Sequence, residues 1–210
     1  MDVLDKFQFT ITEIIALIGV AQCLYILVYF AFRAGHIARA AIPSLYFMLL
    51  GSALFLDAAS RHISEAFPYY LQLQWLAWFS GPVLSYLLII QIAQITRVPD
   101  LKHFSVLGLL PLTYASAYIF AAINSDCTVI SSGCRVFEEA LVISGLFAGA
   151  MAILGVLIQK GFLDFVSKYS VMGKERYWLI LALIIMNVIF MIVMLLSIAP
   201  EIENTTIQTL

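Results

Sequence analysis

The stretch IPSLYFMLLGSALFLDAASRHISEAF, Ile42 to Phe67, decides how the chain is read. Its first half is almost free of polar side chains. Its second half delivers Asp57, Arg61, His62 and Glu65 at spacings of three and four, the period of one helix face. An apolar helix that ends in a cluster of charge has two readings. It is a solvated helix end, or it carries ionisable groups to a particular place. The choice depends on the solvent the rest of the chain requires.

Composition identifies that solvent. Of the 210 residues, 63% are apolar and only 11% charged, with a mean hydropathy of +1.00. A soluble domain carries about a quarter of its residues charged, so this chain cannot cover a surface facing water. Spanning a hydrocarbon core takes about 20 apolar helical residues. Six stretches qualify, at roughly 10–32, 41–60, 69–96, 104–123, 139–160 and 177–199. The fold class expected is all-α, a polytopic membrane bundle in one transmembrane domain over residues 1–210. A membrane β-barrel would show segments of about ten alternating residues; these runs are continuous. The third stretch is long enough to tilt or kink, and Gly81-Pro82 marks the place for a kink.

Basic residues set the orientation. With the N-terminus outside, the cytoplasmic connections hold Arg33, Arg39, Arg97, Lys102, Lys160, Lys168, Lys174 and Arg176, and the outer segments hold Lys6, Arg61 and Arg135. Eight against three is the positive-inside bias. Asp2 and Asp5 stand where a cleavable signal peptide would be basic. The same orientation puts Cys127 and Cys134, in NSDCTVISSGCRVFEEA, on the outer side, where an oxidising compartment favours a disulfide between them. Two separate thiols are the alternative. Cys23, within the first span, reads as a small packing residue.

Polar residues of neighbouring spans gather at the depth of Asp57. Glu13 enters the first span from outside, and Gln72, Gln74, Trp75 and Trp78 open the third. Together with Asp57, Arg61 and His62 they outline a ligand pocket on the outer face, since ionisable groups in hydrocarbon cost a few kcal/mol and seek a partner, a cavity or water. Asp57 and Arg61, four apart, are placed to pair along one helix face. The plainer reading is an interfacial helix end with snorkelling side chains. Deeper in the spans, Gln22, Gln91, Gln94 and Asn187 read as hydrogen-bonding glue between helices. Gly145 and Gly149 form a GxxxG arrangement that serves either packing within the bundle or dimerisation.

Motifs of catalysis are missing: the chain has no HExxH, GxSxG, Walker loop or CxxC. His36, His62 and His103 fall in three separate connections, on two sides of the membrane, so no metal site is expected. Midspan charge of the kind ion-coupled transporters use is absent too. The reading is therefore of a non-enzyme without cofactor or metal, with membrane lipids and a possible helix partner or second copy as its company, and with no nucleic acid contacted.

Phe79 to Leu112, FSGPVLSYLLIIQIAQITRVPDLKHFSVLGLLPL, resembles the multi-span input region of bacterial membrane-bound signalling proteins. The resemblance lies in the aromatic-Gly-Pro start Phe79-Ser80-Gly81-Pro82, the short basic loop after it, and the opening of the next helix with His103, Phe104 and Pro111. The first two spans share the helix-loop-helix layout. Such regions precede an AraC-type helix-turn-helix or a histidine-kinase domain. The resemblance covers about half the chain, and seven spans are usual where six are evident here; a further span and output domain beyond Leu210 would complete it. It implies a sensory module of the bacterial inner membrane, N-terminus periplasmic, passing a helix rearrangement to a cytoplasmic output. The competing expectations are an accessory or scaffolding subunit of a membrane transporter or motor complex, and a transporter or lipid-handling protein.

Overall fold

The computed structural model describes residues 10–33, 37–63, 67–93, 99–124, 134–158 and 174–208. Every element among them is helical. In order they are α1 (Ile11–Arg33), α2 (Ile37–Ala58), α3 (Ser60–Ile63), α4 (Tyr70–Ala93), a 3-10 helix (Leu101–Gly108), α5 (Leu109–Asn124), α6 (Arg135–Ile158) and α7 (Lys174–Gln208). Among the described residues six segments are long and apolar enough to cross a membrane: Ile11–Phe32, Ala40–Ala58, Tyr70–Ala93, Leu101–Asn124, Arg135–Ile158 and Glu175–Leu196. The chain is thus an all-α protein of multi-pass membrane type. The expected residues 94–96 of the third span lie outside the described residues, as do Cys127, His36 and Glu65.

The surface is that of a protein solvated by lipid. Ile11, Phe32, Leu112 and Ile123 are 65–89% exposed, and only 11% of the first span is buried within the chain against 67% of α4. Such exposure is tolerated where the neighbouring molecules are acyl chains rather than water.

Two compact units divide the chain, Met1–Trp78 and Phe79–Leu210, with the boundary inside α4. In the first unit α1 and α2 pack as a hairpin. Gly19 and Gly51 are the points of closest approach: a methyl group added at Gly19 would lie 2.7 Å from Leu54 Cδ1, and one at Gly51 would lie 3.1 Å from Cys23 Cβ. The helical path turns at Ala59, whose N–H still bonds Phe55 C=O at 2.9 Å, and continues as α3. Pro68 then forces the preceding residue out of helical geometry. The start of α4 is tied back by Tyr70, whose hydroxyl donates to Leu56 C=O at 2.7 Å.

In the second unit α6 presents a buried stripe of Ser144, Gly145, Ala148, Gly149, Ala152 and Val156. A methyl group on Gly145 would sit 2.5–2.6 Å from the Phe79 ring, and one on Gly149 would sit 2.7 Å from Met191 Sδ. Both glycines therefore seat residues of their own unit, on α4 and α7. Small residues at this spacing let helix backbones close together where no hydrophobic drive operates.

Polar side chains inside the spans mostly bond their own helix. Ser85 Oγ donates to Pro82 C=O, Thr113 Oγ1 to Leu109 C=O, Ser144 Oγ to Leu141 C=O and Asn187 Nδ2 to Leu183 C=O, all at 2.6–2.8 Å. This corrects the expectation that Asn187 bonds between helices: its own helix offers an acceptor four residues back. Helix α4 continues through Gly81-Pro82 without a break.

One further expectation is corrected here. His103 is not in an open loop but in the 3-10 helix, 5% exposed, with Nδ1 2.9 Å from the Tyr86 hydroxyl. Its flanking charges, Asp100 and Lys102, are exposed and paired at 3.6 Å, so a polar sequence conceals a buried imidazole.

Candidate functional site

The charged groups of the first unit meet at one end of the α1–α2 hairpin. Thr10 and Glu13 form a reciprocal capping box: Glu13 N–H donates to Thr10 Oγ1 at 3.3 Å, and Thr10 N–H donates to Glu13 Oε2 at 2.7 Å. Two otherwise orphaned donors of α1 are satisfied, and the carboxylate sits favourably at the positive end of the helix dipole. The Thr10-x-x-Glu13 spacing signals this pair in the sequence, though it is easily passed over beside so long an apolar run.

The other carboxylate oxygen of Glu13 forms an ion pair with Arg61, whose Nε lies 3.2 Å away. Glu13 is 11% exposed and Arg61 62%, so a half-solvated cation closes over a nearly buried anion. Asp57 is exposed and accepts from Gln74 Nε2 at 2.9 Å through Oδ1. The expected Asp57–Arg61 pair is therefore replaced by two bonds between segments. The turn at Ala59 separates Asp57 from the helical turn that carries Arg61, and each then meets a group on α1 or α4. These bonds join the hairpin to the start of α4.

Glu13, Asp57 and Arg61 line a groove of about 740 Å³ with Thr10, Ser60 and Gln22. That volume lies within the range of about 300–1,000 Å³ typical of small-ligand sites. Ile15, Ala16, Ile18, Gly19 and Leu54 form its apolar length. Gln22, expected as glue between helices, is exposed at its inner end.

Other residues expected in this pocket lie elsewhere. Gln72 and Gln74 are two apart, about 200° around a helix, and only Gln74 reaches Asp57. Gln72 Oε1 is buried with no hydrogen-bond donor among the described residues. Trp75 is 6% exposed and packed inside, and Trp78 lies one turn deeper than Gln74. None of Gln72, Trp75 and Trp78 lines the groove. The side chain of His62 falls outside the described residues.

A second groove of about 500 Å³ runs along the same hairpin, lined by Cys23, Gly51, Met48, Phe55, Leu73 and Leu76 among others. Ser52 is its one hydroxyl, and it donates to Met48 C=O of its own helix at 2.8 Å. This groove offers shape but no charge. At the start of α6, Cys134 is 2% exposed and its C=O accepts from Glu138 N–H at 3.0 Å, while Arg135 pairs with Glu139 at 2.7 Å. Among the described residues no three His, Cys, Asp or Glu side chains gather as a metal site. No protein-family model, curated protein or solved structure matches the chain.

Proposed function

We propose that the chain is a membrane-embedded input module that takes a ligand in the charged groove of its first hairpin and passes a helix rearrangement across the bilayer. The observation that carries this reading is the convergence of Glu13, Asp57 and Arg61 on one groove at the end of two spans. The positive-inside bias of the connections supports an outward-facing position for that end; the resemblance to bacterial signalling proteins would make that side the periplasm. The resemblance of Phe79–Leu112 to signalling input regions supports the same use. On this orientation Cys127 and Cys134 share an oxidising compartment, where a bridge between them would persist.

The geometry supplies a mechanism. A bridge with one exposed partner is worth about 1 kcal/mol or less, so an anionic group drawn to the outer face of Arg61 weakens it and shifts the hairpin at little cost. A differential affinity of about 1.4 kcal/mol between two helix arrangements changes their ratio tenfold. Glu13 keeps its capping bonds throughout, so α1 stays helical while its tie to α3 loosens.

Comparing transcripts in cells that make the native chain or Asp57→Asn, at equal membrane levels, tests the reading. Asparagine retains an acceptor for Gln74, so the fold is preserved while the charge is lost. An input module gives different transcript profiles for the two chains. Identical profiles, together with one protein partner recovered at a fixed ratio by both chains, would instead support an accessory subunit.

A further inference from the structure

The groove has two chemically different ends, and the pair of them specifies a ligand class. Its charged end carries two carboxylates against one guanidinium, an excess of one negative charge, so a purely anionic ligand is disfavoured. Arg61 uses Nε for Glu13, and Asp57 uses Oδ1 for Gln74. Among the described residues, the terminal guanidinium nitrogens of Arg61 and Oδ2 of Asp57 have no hydrogen-bond partner. The first suit a phosphate, which a guanidinium can grip through two parallel N–H donors. The second suits an ammonium that can donate hydrogen bonds. Four residues and the turn at Ala59 separate Asp57 from Arg61, yet both line the one groove, and a phosphate and an amine joined by two carbons present their two charges to neighbouring groups of this kind.

The apolar end faces the bilayer. Ile15 and Ile18 are 63% and 54% exposed, and both line the groove. Gly19 leaves the floor flat, with Leu54 seated against it. From Glu13 to Gln22 the groove follows nine residues of α1, about 14 Å, close to half of the roughly 30 Å hydrocarbon thickness. Its charged end coincides with the ends of two spans: Glu13 lies two residues inside Ile11–Phe32, and Asp57 next to the end of Ala40–Ala58. Charge at headgroup depth and an apolar trough one leaflet long describe a site for a bilayer lipid.

We infer that the groove binds an amine-bearing zwitterionic phospholipid of the ethanolamine class, with its phosphate on Arg61, its ammonium on Asp57, and one acyl chain along Ile15, Ile18 and Leu54. The inference rests on the outward-groove reading above and names the ligand of that site.

Native mass spectrometry of the full chain tests it, with phosphatidylethanolamine, phosphatidylcholine and phosphatidylglycerol of identical acyl chains offered in turn. The ethanolamine lipid binds about fivefold better than the glycerol lipid, the ratio expected of one partly exposed ionic contact. It also outbinds the choline lipid, whose quaternary ammonium has no hydrogen to donate. Asp57→Asn removes both preferences, and Ile18→Trp, which fills the apolar trough, lowers ethanolamine-lipid binding while Leu112→Trp, on an exposed face of α5, leaves it unchanged. An Asp57→Asn chain with the native lipid ranking, or a native chain that prefers the glycerol lipid, overturns the inference. So does full displacement of the lipid by soluble phosphoethanolamine, which would make the headgroup alone the ligand. Lost lipid preference with unchanged transcripts would refute the sensory reading and leave the site standing; changed transcripts with unchanged lipid preference would do the reverse.

Discussion

The two units of this protein direct most of their polar side chains differently. In Phe79–Leu210 the buried serine, threonine and asparagine side chains at Ser85, Thr113, Ser144 and Asn187 turn back to carbonyls of their own helices. The space between helices there is filled by a phenylalanine ring against Gly145 and a methionine against Gly149. Tyr86 and His103 make a cross-element side-chain bond in that unit. In Met1–Trp78 Ser52 also bonds its own helix, but the charged groups reach across. Glu13 joins Arg61, and Asp57 joins Gln74, linking segments that are far apart in sequence. Bonds made within a helix leave helix positions to packing, whereas bonds between helices make those positions sensitive to anything that competes for the same charges. On the proposed reading, the packed second unit holds its shape while the first responds.

Substitutions that attack the packing of one unit and the charges of the other sharpen this contrast. The largest effect belongs to Gly145→Ala. Its methyl group would meet three carbons of the Phe79 ring within 2.6 Å, and overpacking of this kind costs up to about 3 kcal/mol. Gly19→Ala meets only the far end of the Leu54 side chain, which can rotate away, so its cost stays below about 1 kcal/mol once the gain in helix propensity is included. Unfolding titrations in mixed micelles measure both. Equal losses would show that the first hairpin is packed as rigidly as the second unit.

Arg61→Gln is the smallest change, about 0.5 kcal/mol, because the exposed side of the bridge is already solvated. The same titration reads it, and the loss shrinks further at high salt. A loss as large as that of Gly145→Ala would mean that the Glu13–Arg61 bridge holds the hairpin shut rather than poising it.

The spans were legible because hydrocarbon imposes a length. An apolar run of about 20 residues has few other uses, and the observed ends fall within a few residues of those read from the sequence. Helix type was less legible. Lys102 and His103 suggest a connection, yet they belong to a 3-10 helix that leads directly into α5 and buries the imidazole. For the site, Glu13 and Asp57 stood out because charge inside an apolar span is rare, and Arg61 because it follows Asp57 by one helical turn. Their partners did not, because pairing follows from how α1 and α2 approach at Gly19 and Gly51, which no local spacing encodes. Gln72, Trp75 and Trp78 were assigned to the pocket by depth alone; the angle around α4 turns Gln72 and Trp75 from the face of Gln74, and Trp78 lies a turn deeper.

The account depends on the charged groove opening to the outside of the membrane. Single cysteines in a chain otherwise free of them test this with an impermeant maleimide on intact spheroplasts. Ser60→Cys, in the groove, is labelled at once, and Ser105→Cys, exposed on the 3-10 helix, is labelled only after the spheroplasts are opened. Labelling of Ser60→Cys only after opening would place the groove on the cytoplasmic side and contradict the account.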